Sequence, residues 1–108
     1  MKSSTKVTPT VALRILEQQQ YRCALTGREL APETAVLDHI VPLARGGAHA
    51  ASNIWVLHRE VNQAKGKLLL EEFYDLCRQV MENKAVSEQL IRSADADWCK
   101  SPVPEQVE

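Results

Sequence analysis

Residues 37–53, LDHIVPLARGGAHAASN, set Asp38 and His39 side by side in an aliphatic run, followed by Pro42, the Gly46-Gly47 pair and a row of small residues. No other segment constrains the fold as tightly. TAVLDHIV is rich in β-branched and aliphatic side chains and reads as a strand, yet polar groups inside a strand need partners. Successive strand side chains point to opposite faces, so Asp38 and His39 share a site only if the strand ends or distorts there. Pro42 and the glycines supply that ending, and with Ala48, Ala50, Ala51 and Ser52 they predict a long surface loop. The acid and the histidine therefore mark a strand that stops at a chemical site.

The flanking sequence completes an α+β domain. Thr8 as N-cap and Pro9 at the first helical position start a helix that VALRIL continues to about Gln20. CALTGREL reads as a turn around Gly27, NIWVLH as a short second strand, and REVNQAKGK as a helix ending at Gly66. LLLEEFYDLCRQVMEN carries apolar Leu69, Phe73, Leu76 and Val80 opposite a polar face, which predicts a helix packed on the strands. Ser87 is placed to cap a last helix through about Trp98, and SPVPEQVE reads as a frayed, flexible tail over 101–108.

With 108 residues the chain has the size of one domain with a single modest core. No apolar run approaches the roughly 20 residues needed to span a bilayer, so no membrane partner is expected. MKSSTKVTPT lacks the apolar stretch of a secretory signal, and Cys23, Cys77 and Cys99 are odd in number and irregularly spaced. A cytoplasmic, reducing setting is the expectation. The formal net charge of −1 conceals an asymmetry: residues 1–67 hold nine Lys/Arg against five Asp/Glu, residues 68–108 four against nine. That pattern permits a phosphate-binding face in the first half and equally two differently solvated surfaces.

In chain order the sequence brings a strand with Asp38 and His39, a loop ending at Asn53, a short strand, and a helix bearing Asn62 and Lys65. A neutral imidazole can take a proton from water, while a carboxylate and an amide oxygen can hold a hard divalent cation that keeps most of its waters. Those are the parts for phosphodiester hydrolysis.

LDHIVPLARGGAHAASNIWVLHREVNQAKGK resembles the HNH endonuclease family, in the variant whose last motif residue is asparagine. The likeness covers about residues 21–67 and is most specific from Asp38 to Lys67. It implies a small ββα-metal core over about 35–67, with helical flanks over about 9–20 and 69–98, in a single nuclease domain of residues 1–100. It also implies nicking or cutting of duplex DNA to 5′-phosphate and 3′-hydroxyl ends, of the kind made by stand-alone phage or bacterial enzymes. On that resemblance His39 is the general base, and Asn53 is the loop residue whose hydrogen bonds hold it. Asp38 and Asn62 hold one divalent cation, Mg2+ foremost, with Mn2+ or another transition metal as alternatives.

Arg45, Arg59, Lys65 and Lys67 are expected phosphate contacts, each with a plainer reading as a solubilising charge. His49 reads as solvent-exposed or as a further phosphate contact, His58 as an accessory residue that faces the site or covers the core, and Trp55 as core. Many family members surround this core with a zinc ribbon of paired cysteines. Here those positions are Cys23 and Thr26, then His58 and Val61, which cannot complete a four-ligand site, so no structural zinc is expected. The competing function is a non-catalytic nucleic-acid or protein-interaction module on the same fold. No separate recognition domain is evident, so a homodimer or a protein partner would supply specificity, or specificity would be low.

Overall fold

The computed structural model of the chain describes residues 6–96. Trp98, Cys99 and the tail over 101–108 lie outside them. The protein is α+β: helix α1 (Pro9–Gln18), strands β1 (Ala35–His39) and β2 (Ile54–His58), then helices α2 (Arg59–Lys65), α3 (Leu70–Glu82) and α4 (Lys84–Ala96). Two compact units divide it, Met1–Phe73 and Tyr74–Glu108, the boundary falling inside α3. No helix among the described residues is long and apolar enough to cross a membrane.

In the first unit β1 and β2 form an antiparallel pair, with Ala35 opposite His58, Asp38 opposite Trp55 and His39 opposite Ile54. β1 stops at His39 because only half of the next pairing forms, the Asn53 N–H turning away to the Ala50 carbonyl. The Ile40 N–H donates to the Asn53 carbonyl at 2.8 Å, and the Val41 N–H donates to the Asn53 side chain at 2.9 Å. α2 follows β2 without a loop and returns along the sheet. Its first N–H, on Arg59, donates to the Thr34 carbonyl beyond one end of β1, while Lys65 Nζ donates to the His39 carbonyl at the other.

The small core gathers beneath this ββα unit. Cys23, Leu57 and Val61 are buried together, with Leu25, Leu30 and Trp55 partly buried against them. α1 begins as its sequence predicts: the Thr8 hydroxyl accepts from the Val11 N–H at 3.2 Å, and Pro9 occupies the first turn, where its missing N–H costs nothing. At its end Gln19 does what composition could not reveal. Its side-chain amide donates to the Val56 carbonyl and accepts from the Val56 N–H, both at 2.9 Å, supplying the edge of β2 with the bonds a third strand would make.

α3 starts at the Leu69 N–H, which donates to Glu72 Oε1 at 3.0 Å, one half of a capping box. The apolar spacing that predicted a core-facing helix is present, but only its beginning is covered. Leu69, Leu70 and Phe73 are partly buried, whereas Leu76 is 46% and Val80 62% exposed. In the second unit the helix break falls at Asn83, four residues before Ser87. Ser87 is therefore inside α4, its N–H donating to the Asn83 carbonyl, and does not cap it. Exposed ion pairs of Arg78 with Asp75 and Glu82, and of Lys84 with Glu88, line these helices at i,i+3 and i,i+4 spacing.

Candidate active site

The end of β1, the loop after it and the end of α2 enclose a cleft of about 330 Å³ lined by Asp38, His39, Pro42, Leu43, Ala44, Gly66 and Lys67. Asp38 and His39 reach it together because the strand terminates between them and the loop. The pleat still separates their surroundings: Asp38 is buried at 8% exposure, and His39 is half-buried at the rim.

Two elements hold the Asp38 carboxylate. Trp55, directly across the ladder, donates its indole N–H to Oδ2 at 2.8 Å, and Lys65 places Nζ 3.1 Å from the same oxygen. Lys65 has no exposed surface at all. A buried ammonium needs an opposite charge, and Asp38 is that charge. This corrects the expectation that Lys65 contacts a phosphate: its charge is spent inside the protein, on the carboxylate. Trp55, expected only as core, is an orienting partner of Asp38; its cross-strand position was the one signal for that.

The loop between the strands is fastened by Asn53. Its Nδ2 donates to the Val41 carbonyl at 2.9 Å and to the Ala48 carbonyl at 2.8 Å, while its Oδ1 accepts from the Val41 N–H at 2.9 Å. Gly47 makes that closure sterically feasible. A Cβ there would overlap the Val41 carbonyl oxygen and lie 2.7 Å from its carbon and 2.9 Å from Asn53 Nδ2, so a side chain at this position would push the loop open. The clip carries His49 to His39, where His39 Nε2 and His49 Nδ1 stand 2.9 Å apart.

Asn62 is half-buried on α2, three residues before Lys65 and so on the same side of the helix. Both bonds to Asp38 use Oδ2, which leaves Oδ1 without a protein partner among the described residues. Oδ1 and the Asn62 amide oxygen are donors of the kind a hard cation takes while retaining several waters, and that donor chemistry suits Mg2+. Among the described residues no group of three or more His, Cys, Asp or Glu side chains stands together as a metal cluster.

The other expected cations are distributed unevenly. Lys67 is exposed on the cleft wall. Arg45 is clasped: both its terminal nitrogens donate to the Glu72 carboxylate at 2.9 Å, and one also reaches the Lys67 carbonyl at 3.2 Å. A phosphate would have to take Arg45 from Glu72. The guanidinium, helped by the Leu69 N–H, lowers the Glu72 carboxyl from 4.5 to about 2. Because the folded value is depressed, the clasp contributes above the ordinary carboxylate range and is lost as the pH falls toward about 2. An NMR titration of the Glu72 carboxyl should show that displaced midpoint, and an Arg45→Ala chain should return it toward 4.5.

His58 and Arg59 lie elsewhere. In the register His58 pairs with Ala35, at the opposite end of the ladder from His39. Four residues at roughly 3.3 Å each separate the two ends by about 13 Å. His58 instead caps α2, its Nδ1 accepting from the Glu60 N–H at 3.1 Å beside the Arg28–Glu60 ion pair. It is thus not an accessory of the site, and Arg59 next to it could meet only a phosphate other than the one at His39.

Val61 is packed in the apolar cluster with Cys23. Burial pushes the Cys23 thiol up, but hydrogen bonds with the Thr26 side chain and with the His58, Thr26 and Leu25 backbone outweigh it and leave the thiol below its ordinary value. No protein-family model matches the chain, and no curated protein matches it. The functional reading rests on the site's own residues.

Proposed function

We propose that this cleft is the active site of a metal-dependent DNA endonuclease of the HNH type. The observation that carries the reading is the convergence of Asp38, His39 and Lys67 on one cleft beneath a loop clipped by Asn53. A carboxylate fixed by Trp55 and Lys65 keeps Oδ1 for a cation that Asn62, on the same side of α2 as Lys65, would share, and the half-buried imidazole of His39 would take the proton of an attacking water. The exposed ammonium of Lys67 meets the negative charge of the phosphodiester. A bound divalent cation would polarise the phosphate and stabilise the leaving oxygen. Asn53 acts on the loop, keeping the rim closed around His39.

Supercoiled plasmid is expected to be nicked or linearised when Mg2+ is added and to stay intact in chelator. Asn62→Ala should lose cleavage at low Mg2+ and regain part of it as the ion is raised, because it removes a ligand and leaves both the base and the buried Asp38–Lys65 pair in place. Intact plasmid across a range of divalent ions, with the protein shown to be folded, would refute the reading and leave an interaction module in its place.

A further inference from the structure

We propose that His49 is a positioning residue for His39, and that their hydrogen bond makes Nδ1 the reactive nitrogen of the base. The inference rests on the reading of His39 as general base and assigns the atom that reading leaves open. The two rings meet at Nε2 of His39 and Nδ1 of His49, 2.9 Å apart, with centroids 5.2 Å apart and planes tilted by 46°. That is a nitrogen-to-nitrogen hydrogen bond and not a stacked pair.

A neutral imidazole has one N–H and one lone pair, so such a contact needs one ring as donor and the other as acceptor. If His49 Nδ1 donates, His39 spends its only lone pair on the bond and has none left for water. If His39 Nε2 donates, its Nδ1 keeps the lone pair and can accept a proton. Only the second arrangement leaves His39 a base. The bond on one ring nitrogen then decides the work of the other.

His49 does not arrive there by accident of an exposed loop. The residue before it is fastened through the Ala48 carbonyl to Asn53, and the residue after it, Ala50, is buried. Gly47 admits the close approach to Val41 that this path requires. The loop therefore delivers His49 to a ring that stands at the end of β1.

The test uses the full chain labelled with 15N, at a pH where both imidazoles are neutral. A scalar coupling between His39 Nε2 and His49 Nδ1 across the hydrogen bond is expected, with both rings in the Nε2–H form. His49→Ala should remove the coupling and lower kcat for plasmid cleavage by about 10–100-fold, the scale on which outer partners of a site act, with KM for DNA unchanged. His49→Asn, which sets a side-chain oxygen where Nδ1 was, should recover most of that rate. A parental protein without the coupling, or with His39 in the Nδ1–H form, overturns the inference whether or not the chain cuts DNA. A His49→Ala effect confined to KM overturns it as well and returns His49 to a phosphate contact. A parental protein with the coupling but no cleavage under any divalent ion overturns instead the reading on which the inference rests.

Discussion

Lys65→Met is expected to destabilise the first unit by about 3–5 kcal/mol in urea unfolding, the cost of leaving one member of a buried ion pair without the other. The motive is that Lys65 is wholly enclosed, with its ammonium 3.1 Å from Asp38 Oδ2. Methionine keeps most of the volume, so the loss reports the charge and not a cavity. Trp55 still donates to Asp38, but an indole N–H does not neutralise a carboxylate. Surface pairs set the contrast: removing Arg78 or Lys84, whose partners are exposed, should change stability far less. A Lys65→Met loss as small as those would mean that the ion pair is solvated in solution. The proposed function adds a second expectation. If Asp38 is a cation ligand, Mg2+ or Mn2+ should raise the melting temperature of Lys65→Met more than that of the parental protein, because the cation then supplies the charge that Lys65 no longer does.

His39→Ala is expected to lower single-turnover cleavage by about 10²–10⁴-fold while leaving DNA affinity near the parental value, since proton transfer by a positioned base contributes on that scale. His39 is half-buried at the strand end, and its side chain is absent from the core around Leu57, so the fold should survive its truncation. Raising Mg2+ should partly restore Asn62→Ala and should not restore His39→Ala. That contrast separates a ligand from a base. A folded His39→Ala protein that cuts at the parental rate would remove His39 from the chemistry.

How far the sequence reaches is clearest at individual residues. Thr8 and Pro9 mark the start of α1, and the aliphatic runs before His39 and after Asn53 mark β1 and β2, because caps and strand patterns act over a few residues. The end of β1 was legible too, from Pro42 and the glycines. Leu76 and Val80 show the limit of periodicity: their spacing predicts an apolar face, but spacing does not say what covers it, and both are exposed. Ser87 shows the limit of capping signals, since a serine can cap only where the chain already breaks, and the break is at Asn83.

By itself, then, the sequence determined the order ββα between flanking helices and the placing of Asp38 and His39 where a strand gives way to a loop, because those follow from local propensity and turn chemistry. Only the tertiary structure decided which charges are free. Lys65, Lys67, Arg45 and Arg59 are equivalent as cations in a linear chain, yet one is buried on Asp38, one is open to the cleft, one is clasped by Glu72 and one lies at the far end of the ladder. Their fates depend on strand register, on α2 turning back along the sheet and on a loop closed over Gly47. Those contacts join residues distant in sequence, and their energies arise only when burial removes water from around them.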